Sequence, residues 1–247
     1  LAEPASGAWS LGGVTPFEQA IVSSDLARQV DTVVVTGRPT LSRPVHALLA
    51  RPEVRVILVD DDAPWVDVSG NASVVVADLE PAREPIRAAQ AEWASRVRDA
   101  ARDAGERIDS LLAAGSGRTM LDLARAVAAS TSGPLVLGAS NPVRAFDLAV
   151  PTLEGRVVHS NRGQAGIDGT IATAVGIAVG AGYAGEATAP AGERVTAVMG
   201  DLTACHDASS LALAAAVRAH LDIIVADDRG GGIFATLEHG RATTPEA

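Results

Sequence analysis

Seven short apolar runs mark out this 247-residue chain: VDTVVVTG (30–37), VRVILVDDD (54–62), ASVVVAD (72–78), PLVLGA (134–139), RVVHS (156–160), ERVTAVMGD (193–201) and LDIIVADD (221–228). Most are rich in β-branched residues and most end in Gly or Asp, the pattern of parallel strands buried on both faces. Helical stretches separate several of them. Ser42 can cap one, with Pro44 tolerated in its first turn and Val45, Leu48 and Leu49 forming its apolar side. Residues 80–114 alternate Ala, Arg, Glu and Asp with Trp93 and Val97 four apart, and further helices are expected over 119–129, 167–182 and 207–220. Strands alternating with helices imply right-handed crossovers, sheets covered by helices, and ligands at the carboxyl ends of the strands. The expected class is therefore α/β with parallel sheets flanked by helices. Three strands in the first 80 residues would make a thin, edge-rich sheet, so that unit reads as incomplete and the helical stretch after it as a domain junction.

Composition narrows the chemistry. Hydrophobic residues make up 47% and charged residues 20% of the chain, which is enough for real cores and excludes disorder as the main state. Aromatics reach only 3%, so those cores must be built from small aliphatic side chains. The net charge is −10, and all 20 Lys+Arg residues are arginine. A chain without lysine has no Schiff-base amine, no lysine general base and no phosphate-loop lysine. The acidic balance argues against a broad nucleic-acid footprint. The most apolar segment, 171–184, is too short for a membrane span and is dominated by Ala and Gly, so a buried helix is expected there. Cys205 stands alone, which excludes an intrachain disulfide and fits a reducing compartment. The first residues, Leu-Ala-Glu-Pro, lack a secretory pattern, so a cytoplasmic location is expected.

The strand ends carry the chemistry. Gly200 and Asp201 close one run, and Asp227, Asp228 and Gly230–Gly232 close the next, one crossover later. Adjacent parallel strands would bring Asp201 and Asp228 to one sheet edge, where oxygen ligands can share a hard cation such as Mg²⁺. Glycine would let a backbone carbonyl, that of Gly230, approach as a further ligand. Amides after Asp201 and the Thr203 hydroxyl would meet phosphate oxygens. Ordinary loop chemistry is the competing reading of any one such pair. Arg144, in GASNPVR, and Arg162, in HSNRG, follow two other strand ends, and their planar forks suit carboxylates. Asp168 precedes Gly169 and Thr170, a position suited either to capping the following helix or to cofactor contact. The five histidines show no metal-ligand spacing, and His206 and Cys205 read as structural residues or bystanders. GSGRT (115–119) lacks the lysine of a nucleotide loop, while Gly176 and Gly180 read as small residues for close packing on a sheet.

Taken in order, HSNRGQAGIDGTIATAVGIA (159–178), GDLTACHDASSLALA (200–214) and DDRGGGIF (227–234) resemble the thiamine diphosphate enzymes, and within them the MenD family. Those enzymes make 2-succinyl-5-enolpyruvyl-6-hydroxy-3-cyclohexene-1-carboxylate for menaquinone biosynthesis. The general pattern has Gly after Gly-Asp and two Asn later, whereas this chain has Leu202, as the MenD branch does, and the pair Asp227, Asp228. An extra negative charge beside Asp201 and a diphosphate should tighten the demand for a cation, with Arg229 offsetting part of it.

The resemblance implies a thiamine diphosphate-binding fold. Residues 1–80 would be the end of a Rossmann-like middle domain and 81–247 a diphosphate- and metal-binding domain cut short at its C-terminus. It implies a transferase that joins the succinyl unit of decarboxylated 2-oxoglutarate to isochorismate, in a cytoplasmic homo-oligomer, dimer or tetramer, without nucleic acid or a membrane span. Cofactor contacts would fall to Gly166, Ile167, Gly200, Asp201, Leu202, Thr203 and Asp228. The metal, Mg²⁺ or Mn²⁺, would fall to Asp201, Asp228 and Gly230. Ser140, Arg144, Arg162, Ile233, Phe234 and Leu237 would meet substrate, and Ile167 would support the bent cofactor. No catalytic residue is expected in these 247 residues, because the activating glutamate belongs to a pyrimidine-binding domain. The chain thus reads as a fragment, inactive alone. Alternatives are another carboligase or decarboxylase of the acetolactate-synthase type, or a non-catalytic diphosphate-binding or oligomerisation module. Excess EDTA is expected to abolish thiamine diphosphate binding in a titration; undiminished binding would remove Asp201 and Asp228 as metal ligands.

Overall fold

A computed structural model describes residues 1–61, 65–78, 83–115, 119–164, 166–182, 194–228, 230 and 232, with the backbone alone for 83–90. It is α/β, with parallel sheets flanked by helices, as the alternating runs required. Two short helices, α1 (Ala8–Leu11) and α2 (Glu18–Val22), lead through a 3₁₀ turn into the first sheet. That sheet is β1 (Thr32–Thr36), β2 (Arg55–Val59) and β3 (Ala72–Val76), parallel and in sequential order, with α3 (Arg43–Leu49) crossing between the first two. Ser42 caps α3 as expected, its hydroxyl accepting from the Val45 amide at 3.4 Å. Val45, Leu48 and Leu49 pack on Val35, Val56 and Leu58.

The helical stretch expected over 80–114 is one helix, α4 (Arg83–Ala114). Its apolar stripe, Val97, Ala100, Ala101, Ala104 and Ile108, meets Phe17 and Ile21. Gly105 sits in that stripe because a Cβ there would come within 2.9 Å of the Phe17 ring. A helix-interior glycine costs roughly 1 kcal/mol relative to alanine, and here it leaves room for the ring.

The second sheet follows α5 (Met120–Ser130) and comprises β4 (Leu135–Leu137), β5 (Val158–His159), β6 (Val195–Gly200) and β7 (Leu221–Ala226). All are parallel, in the order β5-β4-β6-β7. The remaining helices are α6 (Asn141–Ala149), α7 (Thr170–Gly180), α8 (Asp201–His206) and α9 (Ser210–Ala216). Side chains alternate across the sheet. Leu135, Leu137 and Val198 join Ala124, Val127, Val143 and Phe146 on one face, while Val136, Ala197 and Met199 join Ile171, Ala174, Val175 and Ala178 on the other. Covering both faces explains why β4 and β6 read as unbroken apolar runs. Phe146 is the one aromatic ring among the larger fully buried side chains, in keeping with a small-aliphatic core. No helix among the described residues is long and apolar enough to cross a membrane.

Several expectations are corrected. α7 begins at Thr170 rather than 167, after a turn in which Gly169 takes φ 72° and forms the N-cap with no side-chain bond. Asp168 therefore does not cap it. Gly176 and Gly180 are exposed, and a Cβ on either would meet nothing within 4 Å among the described residues. Close packing on the sheet is achieved by Ala174 and Ala178, both fully buried. The helix expected over 207–220 is shorter, α9 at Ser210–Ala216, and an unexpected short helix, α8, precedes it, starting directly at Asp201.

Where α2 meets α6 the fold buries acid. Glu18 and Asp147 are 7% and 6% exposed, and Gln19 Nε2 donates to Asp147 Oδ2 at 2.5 Å. Burial, reinforced by the Asp147 charge, pushes Glu18 up from 4.5 to about 7, and burial likewise lifts Asp147 from 3.8 to about 6. A raised folded-state pKa means the native state holds its proton more tightly, so Glu18's contribution is complete below about pH 4.5 and is lost as pH rises through about 7. The amount at stake is on the order of 3 kcal/mol. Glu18→Gln should raise the melting temperature above pH 7, change it little near pH 4.5, and flatten the profile between; parallel profiles for the two proteins would clear Glu18 of this role.

Candidate functional site

Parallel pairing sends the carboxyl ends of all four strands of the second sheet to one edge. The strand order sets what stands along it: Arg162 after β5, Ser140 and Arg144 after β4, Asp201 after β6, and Asp228 after β7. At about 4.8 Å per strand, the two ends of this row lie about 14 Å apart.

At the acidic end, Gly200 pairs in register with Ala226, so the two Asp-bearing segments leave the sheet side by side. The loop after β7 folds back over the end of β6. Asp201 Oδ2 accepts from the Gly230 amide at 2.9 Å, and Oδ1 accepts from the Leu202 amide at 2.8 Å. It is thus the amide of Gly230 that turns to Asp201 here. Asp228 Oδ1 accepts from the Gly232 amide at 2.9 Å, and a Cβ at 232 would fall 2.7 Å from Asp228 Oδ2, so only glycine allows this approach. Thr203 is 2% exposed, buried beneath the loop. Two carboxylates beside glycine-rich backbone are hard oxygen donors, a set that suits Mg²⁺ held by one or two carboxylates with phosphate oxygens completing its shell. Among the described residues no group of three or more His, Cys, Asp or Glu side chains gathers into a metal cluster.

At the basic end, Arg144 Nη1 donates to the Ser140 carbonyl at 2.8 Å. Desolvation, with the nearby Arg162 and Arg43 guanidiniums, lowers the pKa of Arg144 from its ordinary value. Three cations are thus close enough to feel one another, and the Glu3 carboxylate, which acts on Arg144 in the opposite direction, stands among them. Arg162 Nη2 donates to the Thr40 carbonyl at 2.6 Å, reaching from the second sheet to the loop after β1. Its Nε is buried without a hydrogen-bond partner among the described residues, a donor left for a ligand or water. A cavity of about 560 Å³ opens beside it, between β1 and the Ser160–Arg162 segment, lined also by Glu3, Arg38 and Pro39. This cavity adjoins the basic end and not the Asp201 loop.

Between the two ends lies the turn Gly166–Gly169, with Ile167 half-buried and the Thr170 hydroxyl donating to its carbonyl at 3.3 Å. Residues outside the sequence expectations hold this turn. Asp207 Oδ2 accepts from the Ile171 and Ala172 amides at 2.5 and 3.0 Å, and His206 Nδ1 lies 3.2 Å from Asp168 Oδ1. His206 thus takes the structural one of the two roles expected for it. Its partnership with Asp168 crosses 38 positions of sequence and left no local signal. Of the expected substrate wall, Ile233, Phe234 and Leu237, like Arg229, lie outside the described residues.

No family model matches this chain. Among curated proteins it is similar to the 2-succinyl-5-enolpyruvyl-6-hydroxy-3-cyclohexene-1-carboxylate synthase of a Nocardioides species, 40% identical over 98% of this chain and 46% of that protein. The protein of the same name from Mycobacterium leprae is 42% identical over 84% of this chain and 38% of its own length. That of Kineococcus radiotolerans is 40% identical over 98% and 43%. The chain spans less than half the length of each of these relatives. On identity sustained along nearly its whole length, the chain belongs to the 2-succinyl-5-enolpyruvyl-6-hydroxy-3-cyclohexene-1-carboxylate synthase (MenD) family.

Proposed function

We propose that this chain is the diphosphate-, metal- and carboxylate-binding part of a thiamine diphosphate- and Mg²⁺-dependent transferase. The whole protein converts 2-oxoglutarate and isochorismate to 2-succinyl-5-enolpyruvyl-6-hydroxy-3-cyclohexene-1-carboxylate and CO₂. The observation that carries the reading is the single sheet edge, with paired carboxylates at one end and converging arginines at the other. The names of the relatives support the same reaction.

Residues 1–80 are read as the end of a middle domain and 81–247 as the diphosphate domain. Asp201 and Asp228 would hold the cation, with the Gly230 backbone completing the loop; Mn²⁺ is the alternative ion. Gly200, Leu202, Thr203, Gly166 and Ile167 would line the cofactor. When bound, thiamine diphosphate supplies a carbanion-stabilising centre that lets a 2-oxo acid lose CO₂ and pass on its acyl unit. The protein's own work is binding and orientation. Arg144 and Arg162 hold substrate carboxylates as charge-assisted pairs, and Ser140 sets Arg144 through its carbonyl. Two arginines without a lysine keep these charges fixed at any physiological pH. Ile233, Phe234 and Leu237 would form the apolar wall. On this reading turnover needs the part of the relatives' length that this chain does not span, including the activating glutamate, and the assembly is a homo-oligomer in the cytoplasm.

Isothermal titration is expected to detect thiamine diphosphate binding with Mg²⁺ and none for ADP. The reverse preference would favour a nucleotide-binding module. In the intact protein, Arg144→Ala and Arg162→Ala should each raise KM for 2-oxoglutarate about 10- to 100-fold, the worth of one charged hydrogen bond. An unchanged KM, or a preference for pyruvate, would shift the reading to an acetolactate-synthase-like enzyme.

A further inference from the structure

Asp207 is 6% exposed, and its carboxylate bonds to the start of α7 and to Ser210. Oδ2 accepts from two consecutive amides at the start of α7, Ile171 at 2.5 Å and Ala172 at 3.0 Å, and Oδ1 accepts from the Ser210 hydroxyl at 2.6 Å. Asp207 is itself the residue that ends α8, the helix that begins at Asp201. One buried anion therefore ties the end of the Asp201 helix, the start of α9 and the N-terminus of α7. It sits where the α7 dipole is positive, and it satisfies amides that Gly169, the N-cap, leaves without a side-chain partner. His206, the preceding residue, adds a second tie through Asp168, inside the Gly166–Gly169 turn. Two adjacent residues thus grip the turn that carries Ile167 from both sides of Gly169.

We propose that Asp207 is a positioning residue that fixes the Ile167 turn relative to the Asp201 loop, so that ring support and diphosphate anchoring are set at one distance by one carboxylate. This rests on the cofactor reading given above. The geometry separates two demands on the site. A diphosphate with Mg²⁺ needs only the Asp201 and Asp228 end, whereas thiamine diphosphate also needs the Ile167 turn at the right distance.

The test compares Kd for thiamine diphosphate and for inorganic pyrophosphate, each with Mg²⁺, in the intact protein. Asp207→Ala is expected to weaken thiamine diphosphate about tenfold or more while leaving pyrophosphate within about twofold. Ile167→Ala should reproduce that split. Asp207→Asn keeps an acceptor for the α7 amides and can donate to Ser210, so it should restore most of the affinity. Ser210→Ala, a milder change that leaves the cap in place, should shift thiamine diphosphate in the same direction by a smaller factor and serves if Asp207→Ala does not fold. An equal loss for both ligands, or no loss for thiamine diphosphate, would show that Asp207 serves stability alone and overturn the inference. An Asn variant as poor as Ala would overturn it as well. Wild-type protein that binds pyrophosphate and not thiamine diphosphate would instead overturn the cofactor reading, and this inference with it.

Discussion

Parallel strand pairing is the constraint on which the rest of this molecule depends. Parallel strands cannot be joined by tight turns, so each connection must cross a face of the sheet, and in the second sheet the crossings bury both faces. That burial dictates the Val-, Ile- and Leu-rich runs, and it confines every polar group with chemistry to the strand ends. Because all four strands of the second sheet point the same way, those ends form a single row. Its order, β5-β4-β6-β7, follows from the crossovers and not from the order of residues in the chain. Arg162 and Asp228 stand at opposite ends of the row although β5 and β4 precede both acidic strands in sequence, and Asp201 and Asp228 stand together although 27 positions separate them.

The row also divides the electrostatics. Guanidiniums gather at one end, with the Glu3 carboxylate among them, and the Asp201 and Asp228 carboxylates stand at the other. Separation by about 14 Å lets the two sets of charge act on different parts of one extended ligand assembly instead of neutralising each other. The arginines also connect the two sheets, since Arg162 is anchored to Thr40 and so the loop after β1 is part of the same wall.

What the sequence could tell was limited by range. Strand positions were legible because period and β-branching are local, and so was the Ser42 cap, whose partner lies three residues on. The adjacency of Asp201 and Asp228 was legible as well, because one crossover between parallel runs has few alternatives. The cap of α7 was not. Asp168 had the right residue type in the right place, yet the role went to Asp207, 36 positions beyond the Ile171 amide it accepts from, because Gly169 takes a left-handed conformation at the N-cap. The same physics shortened the helix expected over 207–220 to Ser210–Ala216: Asp207 ends the preceding helix, which begins at Asp201, and its side chain is drawn to the α7 amides and to Ser210. Nothing local marked Glu18 and Asp147, which are buried where α2 meets α6.

The long helix α4 has a consequence for how this chain tolerates change. At 1.5 Å per residue its 32 residues make a rod about 48 Å long, and its stripe from Val97 to Ile108 is locked in angular phase against Phe17 and Ile21. A loop would absorb an inserted residue by bulging. A helix passes it on as a rotation of about 100°, so a single insertion between Ala101 and Ala104 would turn the far half of the stripe to solvent while every individual side chain remained intact. In this segment the spacing of the residues is therefore under tighter constraint than most of their identities.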